Sequence, residues 1–178
     1  LKVCGLLDTD PDPRYDKFTQ LAQQLFNTKI ALISLVDTDR QWFKSRQGLE
    51  ATQTPRNISF CGHAIHSSKI FYVPDAHKDP RFHDNPLVTG TPHVRFYAGA
   101  PLHTQQGYRI GTLCIIDPSP KVLTSREHQI LQNLANCVED LINCHHQSLQ
   151  NKALHILTKI TALSHREPKI QLRKALSL

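Results

Sequence analysis

Between Pro13 and Phe26 the apolar residues Tyr15, Phe18, Leu21, Ala22, Leu25 and Phe26 recur three and four positions apart, which predicts a helix with one apolar face. Asp12 is a capping carboxylate and Pro13 suits the first helical position, while Asn27-Thr28 closes the segment. The period then changes. Ile30 to Val36 is an unbroken apolar run with β-branched members, short enough for a strand buried on both faces. Asp37-Thr38-Asp39-Arg40 has turn chemistry, and Gln41 to Gly48 alternates partly, as the returning strand of a hairpin does.

Ser59 is placed to cap a short helix reaching about His66, and Ile70 to Val73 reads as a short strand closed by Pro74. Pro74 to His93 has no sustained period. A structureless loop of that length inside a compact domain is usually a lid, and Asp79-Pro80-Arg81-Phe82 can cap one helical turn within it. Four prolines, Gly90 and sparse apolar content predict that this lid is the most mobile ordered part of the chain. Val94 to Leu102 and Tyr108 to Ile116 read as two strands joined in a hairpin across Gln105-Gln106-Gly107.

Thr124 and Glu127 form a capping box that opens a long helix. Its apolar positions are Leu131, Leu134, Val138 and Leu141, then Leu149, Ala153, Ile156, Ile160 and Leu163. Bridging the two groups through His145 takes two steps of four, which breaks the heptad as a stutter does. A helix of about 40 residues exceeds what one face of a small domain covers, so its second half is expected to project and pair with a second copy, giving a homodimer. Cys137 and Cys144, seven apart, fall on one face of this helix as seam residues.

The order of elements is helix, two strands, short helix, strand, lid, two strands, long helix. That is an α+β arrangement, one mainly antiparallel sheet with helices on its faces. Residues 1–148 are expected to form the domain, and 149–178 an extended helix or linker ending in the start of a following module. The segments Leu157-Thr158-Lys159-Ile160 and Ile170 to Leu176 look like the opening helix of such a module.

Composition narrows the partners. The net charge of +6 is unevenly spread: residues 1–148 carry 15 basic and 14 acidic side chains, and residues 149–178 carry six basic against Glu167 alone. The globular part therefore lacks the footprint of a nucleic-acid binder, and the basic tail (Lys152, Lys159, Arg166, Lys169, Arg173, Lys174) reads as a solvated helix face. No apolar stretch approaches the roughly 20 residues of a membrane span, and the aspartates of the first thirty residues are wrong for a signal peptide. Five irregularly spaced cysteines describe no disulfide framework, so a reducing cytoplasm is expected. With no methionine, position 1 included, the chain is expected to be a piece of a longer protein.

Signatures of the common enzyme classes are missing: no phosphate loop, no Gly-x-Gly-x-x-Gly, no His-Glu-x-x-His and no Gly-x-Ser-x-Gly. The densest ligand cluster is Cys61-Gly62-His63-Ala64-Ile65-His66. On a helix Cys61 and His63 diverge by about 200°, so the simpler reading has Cys61 and Ile65 facing the core beside two ordinary histidines, with no metal site. Cys114, in an apolar strand, reads as a small buried hydrophobe, with a thiol or metal redox site at Cys61 and Cys114 as the minor alternative. Asp75, Asp79, Arg81 and Asp84 around Phe82 and Asn85 form either a self-satisfied network holding the lid shut or, with Trp42, Phe96 and Tyr97, the polar groups of a mostly apolar pocket.

Taken in order, Leu6-Leu7-Asp8-Thr9, Ala31 to Asp37, Arg40 to Ser45, Ser59 to Ile65, Asp79 to Phe82, Asn85 to Val88, Arg95 to Leu102 and Gly111 to Asp117 resemble the GAF domain family over about residues 5–145. Each motif alone is weak, and the ordered set is specific. The likeness is to the bacterial subgroup that precedes histidine kinases, diguanylate cyclases or further sensory modules, as in two-component systems. It implies a GAF/PAS-like antiparallel sheet of five to six strands with order 2-1-5-4-3 or close to it. The N- and C-terminal helices would lie on one face and a ligand pocket on the other. The pocket residues implied are Trp42, Phe60, Cys61, Ala64, Asp75, Arg81, Phe82, Asn85, Val88, Phe96, Tyr97 and Cys114.

Departures from specialised members narrow the function further. The lid shows Asp75-Ala76-His77 in place of a bilin-binding Cys-His, and the chain's Cys144-His145 lies on the long helix, so a bilin is not expected. The Asp-Glu dipeptide of cyclic-nucleotide-binding members is absent, and so are the lid cysteines of members that reduce free methionine sulfoxide. The resemblance thus implies a regulatory module that is not an enzyme. It would sense an unidentified small molecule and relay its state through the C-terminal helix to a covalently linked output domain. An interaction module with a vestigial pocket, working by dimerisation, is the alternative.

Overall fold

The computed structural model describes residues 5–164 of the chain. It divides into two compact units, Leu1–Asn143 and Cys144–Leu178. Arg166, Lys169, Arg173 and Lys174 of the basic tail and the segment Ile170 to Leu176 lie outside the described residues, while Leu157 to Ile160 fall within the last helix.

The first unit is built on one six-stranded antiparallel sheet. Helix α1 (Pro13–Phe26) leads into β1 (Ile30–Val36), β2 (Arg40–Gln47) and a short edge strand β3 (Gln53–Pro55). After α2 (Phe60–Ala64) come β4 (Phe71–Val73), the lid with its helical turn α3 (Pro86–Thr89), and β5 (Phe96–His103) and β6 (Arg109–Asp117). The long helix α4 runs from Ser125 to Ser164. The strands lie side by side as β3-β2-β1-β6-β5-β4. Without the three-residue β3, too short and polar to register as a strand, this is the order that the family resemblance implies.

The run Ile30–Val36 is apolar throughout because β1 is central, paired with β2 and β6 and buried along its whole length. One face of the sheet packs against α1 and the first half of α4. There Tyr15, Thr19, Ala22 and Phe26 from α1, and Leu131, Ala135, Val138 and Ile142 from α4, are buried. Both stripes are narrower than the apolar pattern predicts. Leu21 and Leu25 are exposed, since at about 100° per residue they fall well round the helix from Tyr15 and Ala22. On α4, Ala135 and Ile142 sit in the seam where Leu134 and Leu141 were expected, and the two leucines are only partly buried. Cys137 and Cys144 are exposed.

The helix ends follow local chemistry. Asp12 accepts from the Arg14 amide at 3.0 Å, and Asn27 closes α1 in the left-handed conformation. Thr124 and Glu127 make the reciprocal bonds of a capping box, Glu127 N to Thr124 Oγ1 at 3.2 Å and Thr124 N to the Glu127 carboxylate at 2.7 Å. The β5–β6 hairpin turns on Gly107, whose φ of 82° suits glycine.

Candidate functional site

The other face of the sheet carries α2 and the lid, and it holds a second core: Ile30, Leu32, Val36, Phe43, Tyr97 and Cys114 from the strands against Phe60, Cys61, Phe82, Val88 and Val94. Ser59 starts α2 by accepting the Gly62 amide at 2.7 Å, and this fixes Phe60 and Cys61 with their side chains inward. The Ser59 hydroxyl also donates to Gln41 Oε1 at 2.7 Å, while Gln41 Nε2 donates to Thr54 at 2.6 Å. Gln41 thereby ties α2 to β2 and the edge strand with all its polar atoms used.

The lid is anchored by a few buried residues. Its apolar residues are few, but Ala76, Phe82 and Val88 are all buried. Phe82 stacks on Phe60 with ring centroids 4.1 Å apart, and His63 meets its edge at 4.9 Å. Asp79 accepts the Arg81 amide at 3.0 Å and pairs with the Arg81 guanidinium at 2.6 Å, and that guanidinium lies over Phe71 and Phe82. Asp75 receives two bonds from Arg95, at 2.7 and 2.9 Å, and Asn85 both caps α3 and donates to the Ile58 carbonyl. Exposed pairs such as Asp79–Arg81 are worth less than about 1 kcal/mol. Full burial of a phenylalanine contributes about 1.5–3 kcal/mol, so Phe82 is the anchor and the ion pairs trim its setting.

Charge in this region follows the contacts. The Arg95 guanidinium holds the Asp75 carboxyl below its ordinary value, and Arg81 does the same for Asp79. Burial and then the Arg81 charge lower His63. Burial pushes the Tyr97 phenol well up, so it stays a hydrogen-bond donor. Among the described residues no three His, Cys, Asp or Glu side chains are grouped so as to hold a metal ion.

Beside α2 the two layers separate and leave a cavity of about 470 Å³, within the size range of small-molecule sites. Ile30, Leu32, Phe43, Tyr97 and Ile116 form its floor. Phe60, Cys61, Leu87 and Val94 form its roof, and Gly48 to Ala51 with Thr54 form the side wall. The interior is mostly apolar, with Gln41 as its buried polar side chain; Lys29, Glu50, Thr91 and His93 stand exposed at the rim.

Of the twelve pocket residues expected, Phe60, Cys61 and Tyr97 line this cavity. Ala64, Phe82, Val88 and Cys114 are buried close by without lining it, and Asp75, Arg81 and Asn85 serve the lid. Trp42 and Phe96 correct the expectation: they belong to the core on the opposite face. Adjacent strand residues point to opposite faces, so Phe43 and Tyr97 reach the cavity where Trp42 and Phe96 do not. The side wall was missed because a short irregular loop carries no period to read.

A family model described as GAF domain matches residues 10–160. The chain belongs to the GAF domain family. Its sequence is 47% identical over 135 residues to a cyclic di-GMP phosphodiesterase of Pseudomonas aeruginosa, a match covering 75% of this chain and 23% of that protein. The chain thus spans about a quarter of that relative's length. Among solved structures, a domain of a two-component sensor histidine kinase protein from Sinorhizobium meliloti superposes with a TM-score of 0.60 at 16% identity, covering 79% of this chain and 96% of that one. A free methionine-R-sulfoxide reductase from Neisseria meningitidis superposes at 0.62 with 19% identity, covering 83% and 87%. At these identities the structural likenesses establish the shared GAF fold, which hosts a regulatory protein's domain and an enzyme alike.

Proposed function

We propose that this GAF domain is a regulatory module in which the 470 Å³ cavity takes a small, mostly apolar molecule and α4 relays its state to a covalently linked output domain. In this reading the output is a kinase or a cyclic di-GMP enzyme, the protein works in the cytoplasm, and the domain itself turns nothing over. The observation that carries the reading is a mostly apolar cavity with a few polar side chains, buried Gln41 inside and Lys29, Glu50 and His93 at the rim, the composition of a small-molecule site. The phosphodiesterase relative supports the output class, because there too the GAF-like stretch is one part of a longer chain. No helix among the described residues is long and apolar enough to cross a membrane.

The roof gives the relay a starting point. Phe60 and Cys61 on α2 touch the cavity, and α2 packs on β5 and β6. The reverse side of those strands carries Leu113, Ile115, Ala98 and Ala100, in one core with Leu131 and Val138 of α4. A ligand that lifts or draws down α2 thus acts on a sheet that α4 packs against directly.

Ala51 is an exposed residue of the side wall, so Ala51→Trp should block the cavity without entering the core. Native mass spectrometry should show a small molecule held by the wild-type protein, or a panel of apolar carboxylates and aromatics should raise its melting temperature. Ala51→Trp should abolish either effect while melting normally. Undiminished binding by the tryptophan variant would place the ligand elsewhere. A wild-type cavity that is empty and unmoved by the panel would favour the vestigial-pocket alternative.

A further inference from the structure

Two of the five cysteines meet inside the domain. Cys61 stands on α2 and Cys114 on the central strand β6, with their Sγ atoms 3.8 Å apart. Both are buried, at 2% and 0% exposure; Cys61 lines the cavity and Cys114 lies behind it. The Tyr97 hydroxyl donates to Cys61 Sγ at 3.4 Å.

Buried cysteines in apolar surroundings are ordinarily inert. This pair differs in two respects. One cysteine lines a cavity of small-molecule size while the sulfur of the other lies within reach behind it. A hydroxyl donor, that of Tyr97, also meets the sulfur of the cysteine that lines the cavity. The contact with the Cys114 thiol, foremost, and the Tyr97 hydroxyl hold Cys61 below the ordinary thiol range although burial works the other way. The same bond to Cys61, together with burial, pushes Cys114 well up. The division of labour is set by position: Cys61 lines the cavity and Cys114 stands 3.8 Å behind it.

We propose that Cys61 and Cys114 are a dithiol oxidised by small hydroperoxides that enter through the cavity, Cys61 attacking and Cys114 resolving, and that the resulting disulfide clamps α2 to the sheet. In the first step the Cys61 thiolate attacks the distal oxygen of ROOH. The S–O bond forms, the O–O bond breaks, and the alkoxide leaves as ROH on taking a proton from solvent. Cys61 becomes a sulfenic acid, two electrons more oxidised. In the second step Cys114 sulfur attacks Cys61 sulfur, the S–S bond forms, and hydroxide leaves with the Cys114 proton as water. Overall two thiols and one hydroperoxide give a disulfide, an alcohol and water. A disulfide is about 2.05 Å long, so closing from 3.8 Å draws the two elements together and moves the cavity roof that Phe60 and Cys61 supply. The proposal uses the cavity as a route and does not depend on a ligand binding there.

The test uses the full chain with Cys4, Cys137 and Cys144 changed to serine, which leaves the pair intact. Hydrogen peroxide and cumene hydroperoxide should each remove two hydrogens from the intact mass, reversibly with dithiothreitol, and a non-reducing digest should contain a peptide joined through Cys61 and Cys114. Cys114→Ala should instead accumulate a Cys61 sulfenic acid that dimedone traps, and Cys61→Ala should show neither product. Circular dichroism confirms that each variant is folded. Oxygen addition without a crosslink in the paired protein, crosslinks only between chains, or no reaction of the folded protein would each overturn the proposal.

Discussion

The phenol of Tyr97 lies across the α-carbon of Gly99, in space that any β-carbon at Gly99 would occupy. Both residues face the cavity side of β5, two positions apart, so the missing side chain is what lets the Tyr97 hydroxyl reach Cys61. Gly99→Ala should displace the ring and cost about 1–3 kcal/mol, the usual penalty of overpacking a core. Denaturant melts measure this. Pairing it with Tyr97→Leu, which removes the crowded atoms, should give a loss smaller than the sum of the two single losses; simple additivity would show that the two residues do not share the space.

The lid should respond far more to its aromatic anchor than to its charges. Phe82→Ala removes a fully buried ring from between Phe60 and His63 and should destabilise the domain by about 3–5 kcal/mol. Arg81→Ala removes a half-exposed guanidinium and one local ion pair and should cost less than about 1 kcal/mol. Equal losses in urea melts would mean that the ion pair, and not Phe82, secures the lid.

Those contrasts mark where the sequence was readable. A strand such as Ile30–Val36 announces itself because all its residues are buried, and a helix start such as Asp12-Pro13 because capping is local chemistry. The cavity depends on which residue of an adjacent pair faces inward. Trp42 and Phe43, or Phe96 and Tyr97, are equally apolar neighbours, and only the pairing register of the finished sheet decides between them. The lid hides its anchors for a related reason: Ala76, Phe82 and Val88 are buried singly, without a period.

Acid should loosen the lid through Asp75. Its carboxyl is held below the ordinary value by Arg95, so it binds its proton more weakly in the folded chain than in the unfolded one. The stabilisation is therefore complete above the unfolded-state value of about 3.9 and is lost as the pH falls through the folded value. Hydrogen exchange of lid amides, corrected for the intrinsic pH dependence, should show protection falling below about pH 4. Asp75→Asn should start with weaker protection at neutral pH and change less on acidification. An identical acid response in the asparagine variant would assign the effect to another carboxylate, with Asp79, lowered by Arg81, next in line.

Dimerisation through α4 is a proposal that rests on pattern. From Leu149 the positions Leu149, Ala153, Ile156, Ile160 and Leu163 keep 4-3-4-3 spacing, the repeat of a coiled-coil seam. Leu149 and Ile156 are exposed in the single chain, at 39% and 58% of their surface, as seam residues without a partner would be. Leu154 and Leu157 are exposed as well and widen the apolar surface beyond a strict seam. Two heptads are marginal alone, so association should depend on the helix continuing without a break from the Leu131–Ile142 segment. The stutter near His145 would then be where a small rotation of that segment changes the register of the seam. Ile156→Asp with Ile160→Asp should turn a dimer into a monomer in sedimentation and leave the melting of the sheet unchanged. A wild-type chain that sediments as a monomer at about 100 µM, far above a micromolar dissociation constant, would show that the stripe does not drive assembly.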